Sequence, residues 1–183
     1  MFKDEILENE KRRKIYSLIE ASPGIHLREL QRLLDMPLTT LEYHLSYMAR
    51  KKTIFAETEG HHKRLYAKPL EPEDKKVLTA LRQKRMREIV LIVLENGKIK
   101  YQVLAERLKL SHSTLSSYLK YLVGRNILAR EKIGYENLYT VQDEDRVAKV
   151  LTAYKPSFLD KLVDRALDTW METHLRKETQ KPV

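Results

Sequence analysis

Thr40–Met48 reads TLEYHLSYM, and 74 positions later Thr114–Leu122 reads TLSSYLKYL. Laid over itself at that offset, the chain keeps matching in both directions. Upstream, Ile25 meets Ile99, Leu30 meets Leu104, Leu34 meets Leu108 and Met36 meets Leu110. Downstream, Ile54 meets Leu128, Glu57 meets Glu131 and Gly60 meets Gly134; one deleted residue later, Leu65-Tyr66 meets Leu138-Tyr139. Matched apolar positions and glycines at one offset are the trace of a small fold written twice. Two copies make paired domains, because a solenoid needs at least three units.

Working outward from the repeated stretch, each copy shows the same order of elements. Ile15, Leu18 and Ile19 recur at helical spacing, and Ser22-Pro23-Gly24 stops that helix. Ile25-His26-Leu27 is a short extended stretch; Leu27, Leu30, Leu33 and Leu34 mark a second helix, broken at Asp35-Met36-Pro37. A third helix follows with Leu41, Leu45 and Met48 on its buried face. Residues 53–58 then read as a strand, 59–62 as a tip and 63–67 as the return strand. The second copy predicts a helix over Arg87–Asn96, a short strand at Ile99 and a middle helix over Gln102–Leu108. Its third helix is Ser113–Arg125, and its hairpin over Ile127–Val141 turns at Gly134. Helix, short strand, helix, turn, helix, hairpin is the order of a winged helix-turn-helix. The expected fold is therefore mainly α with small β-hairpin wings. The expected divisions are 1–68, a charged linker over 69–76, 77–142, and C-terminal helices over 143–183.

Composition narrows the chemistry. The 183 residues include no cysteine, which removes disulfides, thiolate metal sites and cysteine nucleophiles together. The longest apolar run, Ile89–Leu94, is too short to span a membrane, and no signal-like segment opens the chain, so a cytoplasmic location is expected. The net charge is +9, unevenly distributed. Residues 1–75 carry 14 Lys and Arg against 13 Asp and Glu, residues 76–142 carry 13 against 5, and residues 143–183 carry 8 against 8. The excess of +8 sits in the second copy, and a polyanion is its natural partner.

These stretches, GIHLRELQRLLDMPLTTLEYHLSYMARKKTI and KLSHSTLSSYLKYLVGRNIL, resemble the winged-helix transcriptional regulators of the ArsR/MarR type. The likeness is strongest to archaeal regulators with two such domains in tandem, and it runs from about residue 10 to residue 142. The resemblance implies that the third helix enters the major groove of double-stranded DNA while the wing touches backbone or minor groove. It also implies dimerisation through terminal helices. Metal-sensing members of that type use cysteines, which this chain lacks.

Candidate contacts follow from the core face. With Leu115, Leu119 and Leu122 inward, the third helix of the second copy offers Ser113, Ser116, Ser117 and Lys120 outward, with His112 and Arg125 at its ends. Small hydroxyls allow close approach of a helix to a groove and can donate to phosphate or base edges. Lys132, Tyr135 and Asn137 are the wing candidates, and Arg82, Lys84, Arg85, Arg87, Lys98 and Lys100 the candidate phosphate contacts. The first copy offers Thr39, Thr40, Tyr43 and Ser46 on its third helix and His61, His62, Lys63 and Arg64 on its wing. Its Glu42 is accounted for by a capping box with Thr39, and the second copy starts its third helix on an N-cap at Ser111.

The histidines lack metal-ligand spacing, no catalytic motif is present, and neither cofactor nor enzymatic activity is expected. In the C-terminal segment, 143–153 reads as a short helix and 157–177 as a longer amphipathic one interrupted from it by Pro156. Phe158, Leu162, Ala166 and Trp170 lie on its broad apolar stripe and are the expected homodimer contacts. The expected function is a sequence-specific, non-catalytic DNA-binding regulator. Two alternatives stay open, a protein-interaction module and a nonspecific architectural DNA binder; any effector is unknown.

Overall fold

The computed structural model describes residues 6–59, 62–158 and 161–179. The chain divides into two compact units, Met1–Lys75 and Lys76–Val183.

In the first unit α1 (Glu10–Ala21) begins on an N-cap, Asn9, whose side chain accepts from the Arg12 N–H at 3.2 Å. It is followed by β1 (Ile25–His26), α2 (Leu27–Leu34), α3 (Leu38–Arg50), β2 (Phe55–Glu59) and β3 (His62–Tyr66). The antiparallel sheet has the order β1-β3-β2, with Ile25 opposite Leu65 and Ala56 opposite Leu65 on the other side. Ile15, Ile19, Leu30, Leu41, Met48 and Leu65 are fully buried where the three helices meet this sheet. These are the apolar positions that the helical and strand periods bring to one side.

The helix α4 (Pro72–Arg82) turns most of the charged linker into helix, with proline in the first turn and Glu73 and Asp74 beside the positive end. The second unit then repeats the order as α5 (Lys84–Asn96), β4 (Lys98–Lys100), α6 (Tyr101–Leu108), α7 (His112–Gly124), β5 (Leu128–Ile133) and β6 (Glu136–Val141). Its sheet has the order β4-β6-β5. The repetition extends to the backbone. Asp35 and Lys109, both left-handed, end the middle helices 74 residues apart; Lys52 and Asn126, also at positive φ, follow the third helices at the same offset. Two of these four are lysines, for which that conformation is costly, so the fold and not the residue type imposes it.

The C-terminal helices are α8 (Glu144–Phe158) and α9 (Lys161–Thr179). α8 runs further than the sequence suggests. It passes through Pro156 and takes its one non-helical residue at Tyr154, two positions earlier, where φ is −121°. A proline ring cannot receive the turn before it and takes the helix off course there. α9 packs on α5, and Arg165 grips Glu95 with two bonds of 2.8 and 3.2 Å. Phe158, Val163, Ala166 and Leu167 are buried within this unit. α5 is buried on nearly all sides from Met86 to Leu94, as expected of a helix with other elements on every face. Two expected dimer contacts, Phe158 and Ala166, are therefore covered by their own unit, whereas Leu162 and Trp170 are half-buried.

Candidate nucleic-acid interface

α7 is entered through Ser111, whose hydroxyl accepts from the Thr114 N–H at 3.3 Å and lies 2.7 Å from the Thr114 hydroxyl. Leu115, Leu119 and Leu122 face the core, so His112, Ser113, Ser117 and Lys120 are exposed and Ser116 is half-buried. The serine hydroxyls are not idle: Ser117 donates to the Ser113 carbonyl at 2.9 Å, and Ser116 sits 3.3 Å from the Tyr101 hydroxyl. Tyr101 also donates to the His112 carbonyl at 3.3 Å, with the two rings tilted at 5.2 Å between centroids. Arg125, at the far end, lies over the Tyr121 ring at 5.2 Å.

The wing closes through a two-residue loop, Gly134-Tyr135, because Ile133 pairs with Glu136. Gly134 has φ of 61°, as the first position of a tight hairpin turn requires, and this presents Tyr135 wholly to solvent. Lys132 is exposed and Asn137 half-buried. A groove of about 620 Å³ runs between α7 and the strands, lined by Tyr101, Ser116, Lys120, Arg130 and Asn137 above Leu119, Val123 and Tyr139. Burial pushes the Tyr139 phenol up, although the Arg130 guanidinium opposes this from the paired position across the strands. Tyr101 and Arg130 escape a reading of the sequence. Tyr101 lies just ahead of the predicted helix start, and Arg130 is one charge among many until the strand register sets it opposite Tyr139.

Several expected cationic contacts are committed elsewhere. Arg87 is buried: its guanidinium donates to the Leu81 carbonyl at 2.7 Å and lies over the Phe158 ring at 5.5 Å. It ties helices together and faces no solvent phosphate. Arg85 pairs with Glu88 at 2.8 Å, Lys98 with Glu131, and Lys100 with Glu136 at 2.8 Å. Such exposed pairs are weak and open readily, so they lower the free charge without removing it. Arg82 is half-buried and Lys84 exposed.

The first unit differs at the same positions. Thr39, Tyr43 and Ser46 are exposed on α3 and Thr40 is half-buried. The Thr39–Glu42 capping box does not form: α3 starts at Leu38 behind Pro37, with no side-chain cap bond, leaving Glu42 as a bare carboxylate on the outer face. Of the wing candidates, Lys63 is exposed. Arg64 is buried and donates to the Gly24 carbonyl at 3.2 Å, which makes it part of the domain's frame. His61 lies outside the described residues, and of His62 only the strand position is described. His44 is packed behind α3, its Nδ1 without a hydrogen-bond partner. Burial, and then the charges of Arg12 and Lys11, hold its imidazole below the usual histidine range.

Among the described residues no three His, Asp or Glu gather as a metal site, and no helix is long and apolar enough to cross a membrane. The geometry is that of two winged helix-turn-helix domains in tandem, and the chain is a protein of that class. A family described as an N-terminal HTH domain matches residues 9–78, and one described as winged helix-turn-helix DNA-binding matches residues 82–128. The chain is similar to an uncharacterized HTH-type transcriptional regulator of Methanocaldococcus jannaschii, at 27% identity over 140 residues. That match covers 76% of this chain and 35% of the relative, so the chain spans about a third of the relative's length. Among solved structures, HlyU from Vibrio cholerae aligns at 23% identity and a TM-score of 0.41, over 45% of this chain and 89% of that one. An ArsR family transcriptional regulator aligns at 15% identity and a TM-score of 0.36, over 63% of this chain and all of that one. At these scores the two structures add nothing to the argument.

Proposed function

We propose that this protein is a sequence-specific, non-catalytic regulator that binds double-stranded DNA mainly through its second unit. α7 lies in the major groove in this reading, and the β5–β6 wing lies on the flanking backbone. The observation that carries it is the outer face of α7, where His112, Ser113, Ser117 and Lys120 stand exposed in a stretch with a net charge of +8. Small polar side chains on a capped helix let its backbone approach base edges, and the surrounding cations supply the salt-dependent part of the affinity. The matched winged helix-turn-helix DNA-binding family and the regulator-like relative support the same reading.

The first unit contributes less. Glu42 stands on the outer face of α3 where the second copy has Ser116, and a carboxylate there repels phosphate. We also propose a homodimer in the cytoplasm, formed through the part of α9 around Leu162 and Trp170 that its own unit leaves partly uncovered. Met171, 47% exposed, continues that face. Two recognition helices about one helical turn of DNA apart would then select a near-palindromic site.

The test is fluorescence anisotropy with random and genomic-upstream duplexes at about 50 and 200 mM salt. A steep salt dependence, with an upstream fragment bound at least ~10³-fold more tightly than random sequence, is the expected result. Steep salt dependence without preference would leave a nonspecific binder, and no binding would leave a protein-interaction module.

A further inference from the structure

The groove beside α7 has features that contact with DNA backbone does not call for. Its floor is apolar, made by Leu119, Val123 and the buried Tyr139, and its volume of about 620 Å³ falls in the range of small-molecule sites. The cations around it are sorted. Lys98 and Lys100, on the neighbouring strand, are each paired with a wing carboxylate, whereas no carboxylate among the described residues pairs with Lys120 or Arg130 inside the groove. The groove thus concentrates positive potential over an apolar base.

Gly124 lines the same groove from the last turn of α7, where glycine weakens a helix. Neither strain nor crowding accounts for it, because its φ is not positive and a Cβ there would meet nothing within 4 Å. What the missing side chain provides is room. The first copy has none of this chemistry. Where the second has Ser116, Lys120, Gly124 and Arg130, the first has Glu42, Ser46, Arg50 and Ala56. The shared fold therefore does not require these residues.

We propose that this groove binds a small organic anion with a planar apolar body, its charge held by Lys120 and Arg130 and its ring seated on Leu119, Val123 and Tyr139, and that the bound anion excludes DNA. The exclusion rests on the DNA-binding reading above, since Ser116, Lys120 and Asn137 belong to both surfaces. The binding itself does not.

The probe is naphthalene-2-carboxylate, with 2-naphthylmethanol and inorganic phosphate as its neutral and ring-less counterparts, titrated calorimetrically into the full chain without DNA. The naphthoate is expected to bind with a Kd of about 1 mM, the scale that ligand-efficiency bounds set for a molecule of that size. Both counterparts should bind at least about 10-fold more weakly, each lacking one half of the recognition. Arg130→Gln and Gly124→Leu, the latter filling the groove at a site with open space, should each weaken the naphthoate by about 10-fold or more. Arg107→Gln, exposed on α6 away from the groove, should not. Circular dichroism and thermal unfolding establish that each variant is folded.

In the second arm, saturating naphthoate should weaken binding of a duplex by wild type and leave Gly124→Leu unaffected. No naphthoate binding, or equal binding by wild type, Arg130→Gln and Gly124→Leu, overturns the site, whatever the DNA result. Naphthoate bound in the groove with DNA affinity unchanged overturns the exclusion. Naphthoate binding with the expected variant pattern in a protein that binds no DNA supports the site and removes the regulator reading instead.

Discussion

His44 is the residue at which pH should act on stability. Its imidazole is buried with an unpartnered Nδ1, and its folded-state affinity for protons is reduced below the ordinary value near 6.5. The unfolded chain therefore binds the proton more readily than the folded one. The stabilising contribution is complete above pH 6.5 and is lost as pH falls from there through the folded-state value. Urea unfolding across that range should show stability declining with acid in wild type, and His44→Gln should flatten the decline. Arg87 makes a second residue-scale case, because its buried guanidinium joins the Leu81 carbonyl to the Phe158 ring. Arg87→Met should cost about 2 kcal/mol in denaturant unfolding, a charged hydrogen bond lost from the interior, with the DNA affinity of the folded protein unchanged. The buried state of Arg64 and Arg87 was not legible in the sequence. Both stand among other basic residues, and only packing distinguishes a cation that frames a domain from one that faces solvent.

At the scale of elements, α7 and α3 share a core stripe and differ in how they begin. Ser111 caps α7, so Ser111→Ala should destabilise the second unit by about 1 kcal/mol in urea unfolding. α3 makes no equivalent bond behind Pro37. Both starts follow from the residue in place: a serine hydroxyl can accept from the first turn, and a proline ring cannot. The capping box expected from Thr39 and Glu42 fails because the helix begins one residue too early for Thr39 to serve as its cap. The wing is equally local. Gly134 sits at positive φ with open space around it, so Gly134→Ala should cost about 1–2 kcal/mol through backbone strain alone, measured by the same unfolding. On the outer face of α7, Lys120→Ala should weaken every duplex alike and lower the salt slope by about one unit, read by anisotropy at several salt concentrations.

For the whole molecule the two copies are expected to contribute unequally. Changing Ser116, Ser117 and Lys120 together to alanine should weaken binding to a preferred duplex by about 10²-fold. The corresponding change of Thr39, Tyr43 and Ser46 should cost less than about 3-fold, both read by anisotropy. The charge map of the sequence already points this way, with an excess of +8 between residues 76 and 142. By itself the sequence determined the repeated fold, the facing of its third helices and the position of its wing turn. Those depend on the 3.6- and 2-residue periods and on glycine at a tight turn, all of which act over a few neighbouring residues. Tertiary structure alone decided which cations stay unpaired and which carbonyls the buried arginines hold. It also decided that α9 covers its own unit and that Tyr101, Lys120, Arg130 and Tyr139 wall one groove. These outcomes depend on strand register and on burial between elements far apart in the chain, and no local period carries that information.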